Sequence, residues 1–224
     1  MNNQSNKSNK KFSFFVVIAK RIVKPLHGFT VSGRRIKQLR NNLIHLLPKN
    51  TVLEGLDVGC GSGKLAKKIQ DSCPEIQMSG VEVLVRENTA ITVTKFDGKR
   101  LPFEDKSYDF TMLVDVLHHT DAPAGLMREC VRVSRQFILI KDHLCESWWD
   151  RVRLRFMDWG GNRGYDVYLP YNYLSQQNWN KLYQICGVVC EAKVTKLNLY
   201  SYPFSLIFDS HLHFIAKLVI AEVR

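Results

Sequence analysis

Acidic side chains are missing from the first 50 residues, which hold eleven Lys and Arg and not one Asp or Glu. Residues 51–224 carry 21 charges of each sign, so the whole formal net charge of +11 is N-terminal. Long apolar runs are missing as well: Phe14–Ala19 is six residues long, far short of the ~20 that a membrane-spanning helix needs. The six cysteines (60, 73, 130, 145, 186 and 190) form no C-x-x-C pair and no signal peptide precedes them. That usage points to reduced thiols in a cytosolic compartment. Cys186 and Cys190 have the spacing to face one another on a helix, but partner ligands for a metal are lacking, so buried thiols and no metal are expected. Two phosphate loops are absent too. No G-x-G-x-x-G opens a helix, and Gly63-Lys64 is followed by Leu65 rather than the Ser or Thr of a Walker loop.

What the chain does have is Gly55-Leu-Asp-Val-Gly-Cys-Gly-Ser-Gly63, an apolar run, an acid and glycines at alternate positions. Val52–Val58 reads as a buried strand and Lys64–Gln70 opens a helical pattern, so Gly59, Gly61 and Gly63 fall on a strand-to-helix turn. Glycine suits such a turn because it accepts positive φ and lets a ligand approach the backbone amides. Further pieces follow in order. Ile76-Gln-Met-Ser-Gly-Val-Glu82 is a second strand ending on a carboxylate, which can accept hydrogen bonds from two ribose hydroxyls. The strand-like Ile91-Thr-Val-Thr-Lys-Phe96 ends at Asp97-Gly98, by itself only a turn signal. Tyr108-Asp-Phe-Thr-Met-Leu-Val-Asp-Val-Leu-His-His-Thr120 is an apolar central strand that stops near Asp115 and Val116.

Together these pieces resemble motifs I, II and IV of the class I S-adenosylmethionine (SAM) methyltransferases, over about residues 50–145. The resemblance implies a Rossmann-like α/β sandwich: a seven-stranded, mostly parallel sheet of order 3-2-1-4-5-7-6 with helices on both faces. It implies SAM held at Asp57, Gly59, Cys60, Gly61, Gly63, Glu82, Asp97, Gly98, Asp115 and Val116. It also divides the chain into a basic N-terminal extension (1–50) and a methyltransferase domain (51–224) with an acceptor-side insertion at 144–187. Arg86 is followed by Glu87 where the family pattern has proline, a departure confined to the link between strands two and three.

Ligands in open α/β sheets lie outside the carboxyl ends of the strands. His118-His119 after strand four and Lys141-Asp142-His143 after strand five should meet there. His119 and His143 are the candidate general bases, with Asp142 as the orienting acid, because a histidine titrates near neutrality. A loop-supporting histidine at 119 is the plainer alternative. In the insertion, most of the aromatics Trp148, Trp149, Phe156, Trp159, Tyr165, Tyr168, Tyr171, Tyr173 and Trp179 are expected to fill a core. Arg155-Phe-Met-Asp-Trp-Gly-Gly-Asn162 and Leu169-Pro-Tyr-Asn-Tyr173 look more like ligand-side loops, and they resemble a subgroup of bacterial class I methyltransferases. Thr120-Asp121 with Pro123 starts a helix, Phe137–Ile140 is a fifth strand, and Val188–Leu197 with Phe214–Val223 form a closing antiparallel pair.

No Asn/Asp-Pro-Pro-Tyr/Phe is present, the motif of amino-methylating nucleic-acid enzymes in this family, and no cysteine pair for pyrimidine methylation is apparent. Nucleic acid is therefore a disfavoured partner, and a small-molecule or lipid-linked acceptor methylated on O or N, less readily on C, is preferred. Phe12, Phe15, Val16, Ala19, Ile22, Val23 and Leu26 recur at helical spacing beside Lys20, Arg21 and Lys24. This basic amphipathic segment, 12–26, either packs over the cofactor cleft or makes a peripheral contact with the inner membrane surface. Arg34, Arg35, Lys37 and Arg40 begin a further helix running to about Leu47, and a solvated basic face is expected for them, with contact to an acidic substrate as the alternative. Two other readings remain open at this level: a methyltransferase-like SAM-binding scaffold, and a membrane-surface adaptor without catalysis.

Overall fold

Strand β1 (Leu53–Val58) lies at the middle of the molecule and is almost wholly buried. A computed structural model describes residues 32–162, 170–209 and 211–221; the expected segment 12–26 lies outside them. β2 (Ile76–Glu82) and β4 (Tyr108–Val114) flank β1 in parallel. β3 (Val93–Lys95) pairs with β2, and β5 (Ser134–His143) pairs with β4. The sheet closes with β7 (His213–Ile220), antiparallel to β5, and β6 (Val188–Val194) at the edge. Its order is β3-β2-β1-β4-β5-β7-β6, the arrangement that the resemblance implies.

Helices cover both faces. α1 (Ser32–Leu46) and α2 (Lys64–Ser72) meet on one side. Leu39, Leu43 and Leu47 of that side join Leu53, Ile69, Ile76 and Met112 in one buried cluster. On the other side α3 (Pro123–Val133) and α5 (Gln176–Ile185) bring Leu126, Met127, Cys130, Trp179 and Leu182 against Val58, Leu113 and Ile140. Apolar surface removed from water contributes about 25 cal/mol per Å². These two clusters therefore fix the sheet and hold its carboxyl edge open for polar groups. The insertion carries α4 (Trp148–Asn162), and a short α6 (Ser205–Phe208) packs beside it. No helix of the described residues is long and apolar enough to cross a membrane.

Some boundaries differ from the sequence pattern. The expected strand at Ile91–Phe96 shrinks to Val93–Lys95, because Arg86–Thr92 is used to pass over the glycine loop, where Ala90 N–H donates to Ser62 C=O. Strand five grows from Phe137–Ile140 to Ser134–His143, since β4 and β7 pair with it along its length. Polar Lys141, Asp142 and His143 hide that extension from any reading of apolar runs. Cys186 and Cys190 do not share a helix: Gly187, at φ +69°, ends α5 between them. All six thiols are free, and Cys130, Cys145 and Cys186 are buried.

Candidate functional site

The loop after β1 turns on Gly59, Gly61 and Gly63, all at φ between +57° and +72°. Only the small left-handed region is used there, and a side chain would be strained in it. Space forbids a side chain as well at two of them: a Cβ would lie 2.7 Å from Val116 Cγ2 at Gly59 and 2.5 Å from Ile91 Cγ1 at Gly63. At Gly61 a Cβ would meet only the Arg86 guanidinium, at 3.5 Å. The loop is tied to the neighbouring strand, for Gly59 and Cys60 N–H both donate to Val81 C=O. Glu82 finishes the tie: Gly61 N–H donates to its Oε2 at 2.7 Å and Val83 N–H to its Oε1 at 2.9 Å. One bond to each oxygen leaves acceptor capacity on both.

Asp57 is buried at the end of β1, and desolvation, helped by the Glu82 charge, pushes its carboxyl up to about 8. Asp97 is exposed and caps its own turn, accepting Lys99 and Arg100 N–H at 2.8 Å each, which holds its carboxyl below the usual range. Gly98 follows at φ +79°, with Val83 Cγ2 at 3.4 Å from where a Cβ would stand. Val116 packs under Gly59. Acidic groups thus follow one another along the carboxyl edge from β1 to β4, an acceptor set suited to a cofactor with ribose hydroxyls, an amino group and a positive sulfonium.

Asp115 sits just past β4 at φ +58°, a conformation that Asp tolerates better than most residues. Its N–H donates to Lys141 C=O at 2.9 Å, and its carboxylate accepts hydrogen bonds from Lys141 Nζ and from the Arg35 guanidinium. Burial works to raise this carboxyl, but the Lys141 and Arg35 charges outweigh it and hold it well below the usual carboxylate range. The expectation of a solvated face is corrected for Arg35. Helical phase turns it inward from α1 to the strand edge, where the half-buried Asp115 carboxylate gives it a partner.

Beyond Asp115 lies a polar cluster buried at the ends of β4, β5 and β7. Asp142 Oδ1 accepts from His118 Nδ1 at 2.7 Å and from His143 N–H at 2.7 Å. His143 Nδ1 stands 3.3 Å from His118 Nδ1, and His143 Nε2 is 3.8 Å from Asp115 Oδ1. Lys141 Nζ is 3.4 Å from His213 Nδ1. Asp158 of α4 approaches His118 Nε2 at 3.6 Å and accepts a hydrogen bond from the Tyr173 hydroxyl. Asn172 bonds to the backbone here, its amide reaching Thr120 C=O at 2.9 Å. Trp179 Nε1–H donates to His143 C=O at 3.0 Å and fastens α5 to the end of β5. The insertion therefore reaches the cluster from two directions.

The electrostatics separate the four histidines. Burial, the Lys141 charge and His118 lower His143, and burial with Lys141 lowers His213 further still. Burial and the neighbouring His118 bring His119 down to about 4. His118 alone is raised: burial opposes its charge, but the Asp142 carboxylate and the bond to it prevail. Burial would raise Asp142, yet His118 and its hydrogen bond hold that carboxyl well down. Of the residues expected to cooperate, Asp142 and His143 come together, whereas His119 stacks on His118 with ring centroids 4.0 Å apart and makes no recorded bond to Asp142.

Nothing in the sequence singles out His213 or Arg35 as site residues, and His118, though placed at this edge, is not the histidine that the sequence favours as base. His118 had the weaker claim only because it precedes His119 in an identical pair; the 3-10 turn Leu117–His119 decides which ring faces inward. Asp158 had a signal in the Asp-Trp-Gly-Gly phrase, whereas nothing local marked His213. In the insertion Tyr173 and Trp179 are core residues, while Trp148, Trp149 and Phe156 are 60–66% exposed.

Residues 56–136 match a family model described as methyltransferase domain. An uncharacterized protein of Methanocaldococcus jannaschii is 29% identical over 82 residues, 37% of this chain and 40% of that protein. The chain thus matches well under half the length of this curated relative. Among solved structures, the methyltransferase in complex with the Trm112 activator of Haloferax volcanii superposes with TM-score 0.61 at 13% identity, over 84% of this chain and 90% of that one. A SAM-dependent methyltransferase of Thermotoga maritima superposes with TM-score 0.58 at 18% identity, over 90% of this chain and 98% of that one. Residues 56–136 thus match a methyltransferase domain, the described residues share the fold of these solved methyltransferases, and the cofactor that such a domain implies is S-adenosylmethionine.

Proposed function

We propose that the protein transfers a methyl group from SAM to an oxygen or nitrogen of a small organic or lipid-linked acceptor. The observation that carries this reading is the placement of the buried His118–Asp142 pair beside Asp115 on the same strand edge as the glycine loop. SAM supplies an electrophilic methyl carbon, so the protein has mainly to align a nucleophile and remove its proton.

The loop amides and glycines take the nucleoside, with Glu82 on the ribose, Asp97 toward the adenine and Asp57 and Asp115 toward the methionine end. In its deprotonated form, which gains as pH rises past its raised pKa, His118 donates Nδ1–H to Asp142 and keeps the Nε2 lone pair on the side of Asp158 and Tyr173, from which the insertion closes. An acceptor held there by Asp158 and Tyr173 would give its proton to Nε2, and bound SAM would supply the methyl carbon, its carbon–sulfur bond breaking to leave S-adenosylhomocysteine. His143, lowered by burial and by Lys141, shapes the Asp142 carboxylate through its N–H. His119, partly exposed and neutral near pH 7, is the alternative proton acceptor on the open side.

Calorimetry with SAM and S-adenosylhomocysteine tests the cofactor half of this reading. Micromolar binding is expected, abolished in Gly61→Arg and weakened in Glu82→Ala; absence of binding by the folded wild-type protein refutes it. Methyl transfer from labelled SAM into a metabolite extract then finds the acceptor. A rising limb in the pH profile, lost in His118→Asn and kept in His119→Asn, would assign the base.

A further inference from the structure

α4 has two unlike faces. Leu154 and Asp158 point into the insertion core and the polar cluster, while Trp148, Trp149, Val152 and Phe156 face out, the first two each 66% exposed. α6 continues this outer surface: Phe156 and Phe208 stack at 6.3 Å, Arg153 donates to Ile207 C=O, and Tyr202, Phe204, Leu206 and Ile207 are all exposed. Leu206 is 70% exposed and Tyr202 79%. A contiguous apolar surface of this kind on a monomer marks an interaction site.

Charge selects among its occupants. Arg151 and Arg155 are exposed on α4 against one exposed acid at its start, Glu146, giving the patch a net positive rim. The chain outside the described residues adds to this. Residues 1–31 hold six Lys and Arg and no acid, and they join the fold at α1. There Arg35 lies within electrostatic reach of Tyr200, whose ring meets Phe208 of α6 at a tilt of 55° with centroids 5.8 Å apart. A basic segment is repelled by a basic rim, so the patch is a poor seat for residues 12–26 of the same chain. Both features are drawn to one kind of surface, an anionic bilayer. Trp and Tyr favour the headgroup boundary, Leu, Ile and Phe favour the acyl side, and Arg favours the phosphates.

We propose that the outer face of α4 and α6, centred on Trp148, Trp149, Leu206 and Ile207, is a docking surface for an anionic lipid bilayer. Docked in this way, the inner face of α4 carries Asp158 directly above the His118–Asp142 pair, so one helix joins the membrane to the polar site. The surface stands on exposure and charge alone and does not depend on the methyl-transfer reading.

The test is flotation of the full-length protein with phosphatidylcholine vesicles, with and without phosphatidylglycerol. The protein should float only with the anionic vesicles, release as salt is raised, and show a blue shift of tryptophan emission on binding. Trp149→Ala combined with Leu206→Ala should weaken binding on the order of tenfold or more. Both side chains are exposed, so an unchanged melting temperature verifies that this variant folds. Three results overturn the proposal. The wild type fails to float; the double variant floats as well as the wild type, which moves the contact to residues 1–31; or light scattering shows a dimer that the double variant loses, which assigns the patch to a second copy.

Discussion

Replacing Asp115 by Asn should destabilise the protein severely, and the reason is Lys141. The Lys141 side chain is 0% exposed and its ammonium is hydrogen-bonded to the Asp115 carboxylate, which is 18% exposed. Asn keeps the size of the side chain and tolerates the φ of +58°, so the backbone is little disturbed. What disappears is the negative charge. A buried ammonium left without its partner costs about 3–5 kcal/mol, a large part of the ~5–15 kcal/mol that folded domains retain. The Arg35 half of the triad is more exposed, at 32%, and adds no more than ~1 kcal/mol.

For a chain of this size each kcal/mol shifts the melting point by about 2–4 °C, so Asp115→Asn should melt about 6–20 °C below wild type. Adding Lys141→Met removes the stranded charge and should recover most of the loss. The sign with pH is fixed as well. A carboxyl depressed by its partners stabilises the fold above its unfolded pKa near 3.9, and that stability is lost as pH falls through the depressed folded value. The gap between wild type and Asp115→Asn therefore closes only in strong acid. Urea unfolding and thermal melts of the two variants measure this directly. A single variant within about 1 kcal/mol of wild type, or a double variant no better than the single, would refute the account.

Asp57 should give the opposite pH dependence. Its carboxyl is raised to about 8, so between roughly pH 4 and 8 the folded state binds the proton that the unfolded state has lost, and stability falls as pH rises; melts across that range should slope less in Asp57→Asn. Gly55→Ala would place a Cβ 2.4 Å from Phe110 Cζ and 2.6 Å from Met78 Sδ. Overpacking of this kind costs about 1–3 kcal/mol, measurable in urea, with cofactor affinity little changed in the folded fraction. Tyr173→Phe removes the hydroxyl that donates to the buried Asp158, for a loss of about 1–3 kcal/mol. In the methyl-transfer assay it should raise KM for the acceptor more than KM for SAM, and equal effects on both would count against an acceptor-side role.

The sequence by itself determined the sheet and the glycine-loop half of the candidate site. Strand–turn–helix periodicity is local, and a glycine forced to positive φ, or an acid ending a buried strand, leaves its mark within a few residues. Glu82 could be found this way because its partners, Gly61 and Val83, lie across a single βαβ unit and next to it. The polar half could not be found so. Whether His118 or His119 faces Asp142 depends on one 3-10 turn, and Arg35, Asp158 and His213 reach the same few ångströms from α1, α4 and β7. Burial and Coulomb interaction act through space. Only the tertiary structure decided which histidine is favoured in its charged form, which acid is held ionised, and which face of α4 is left outside.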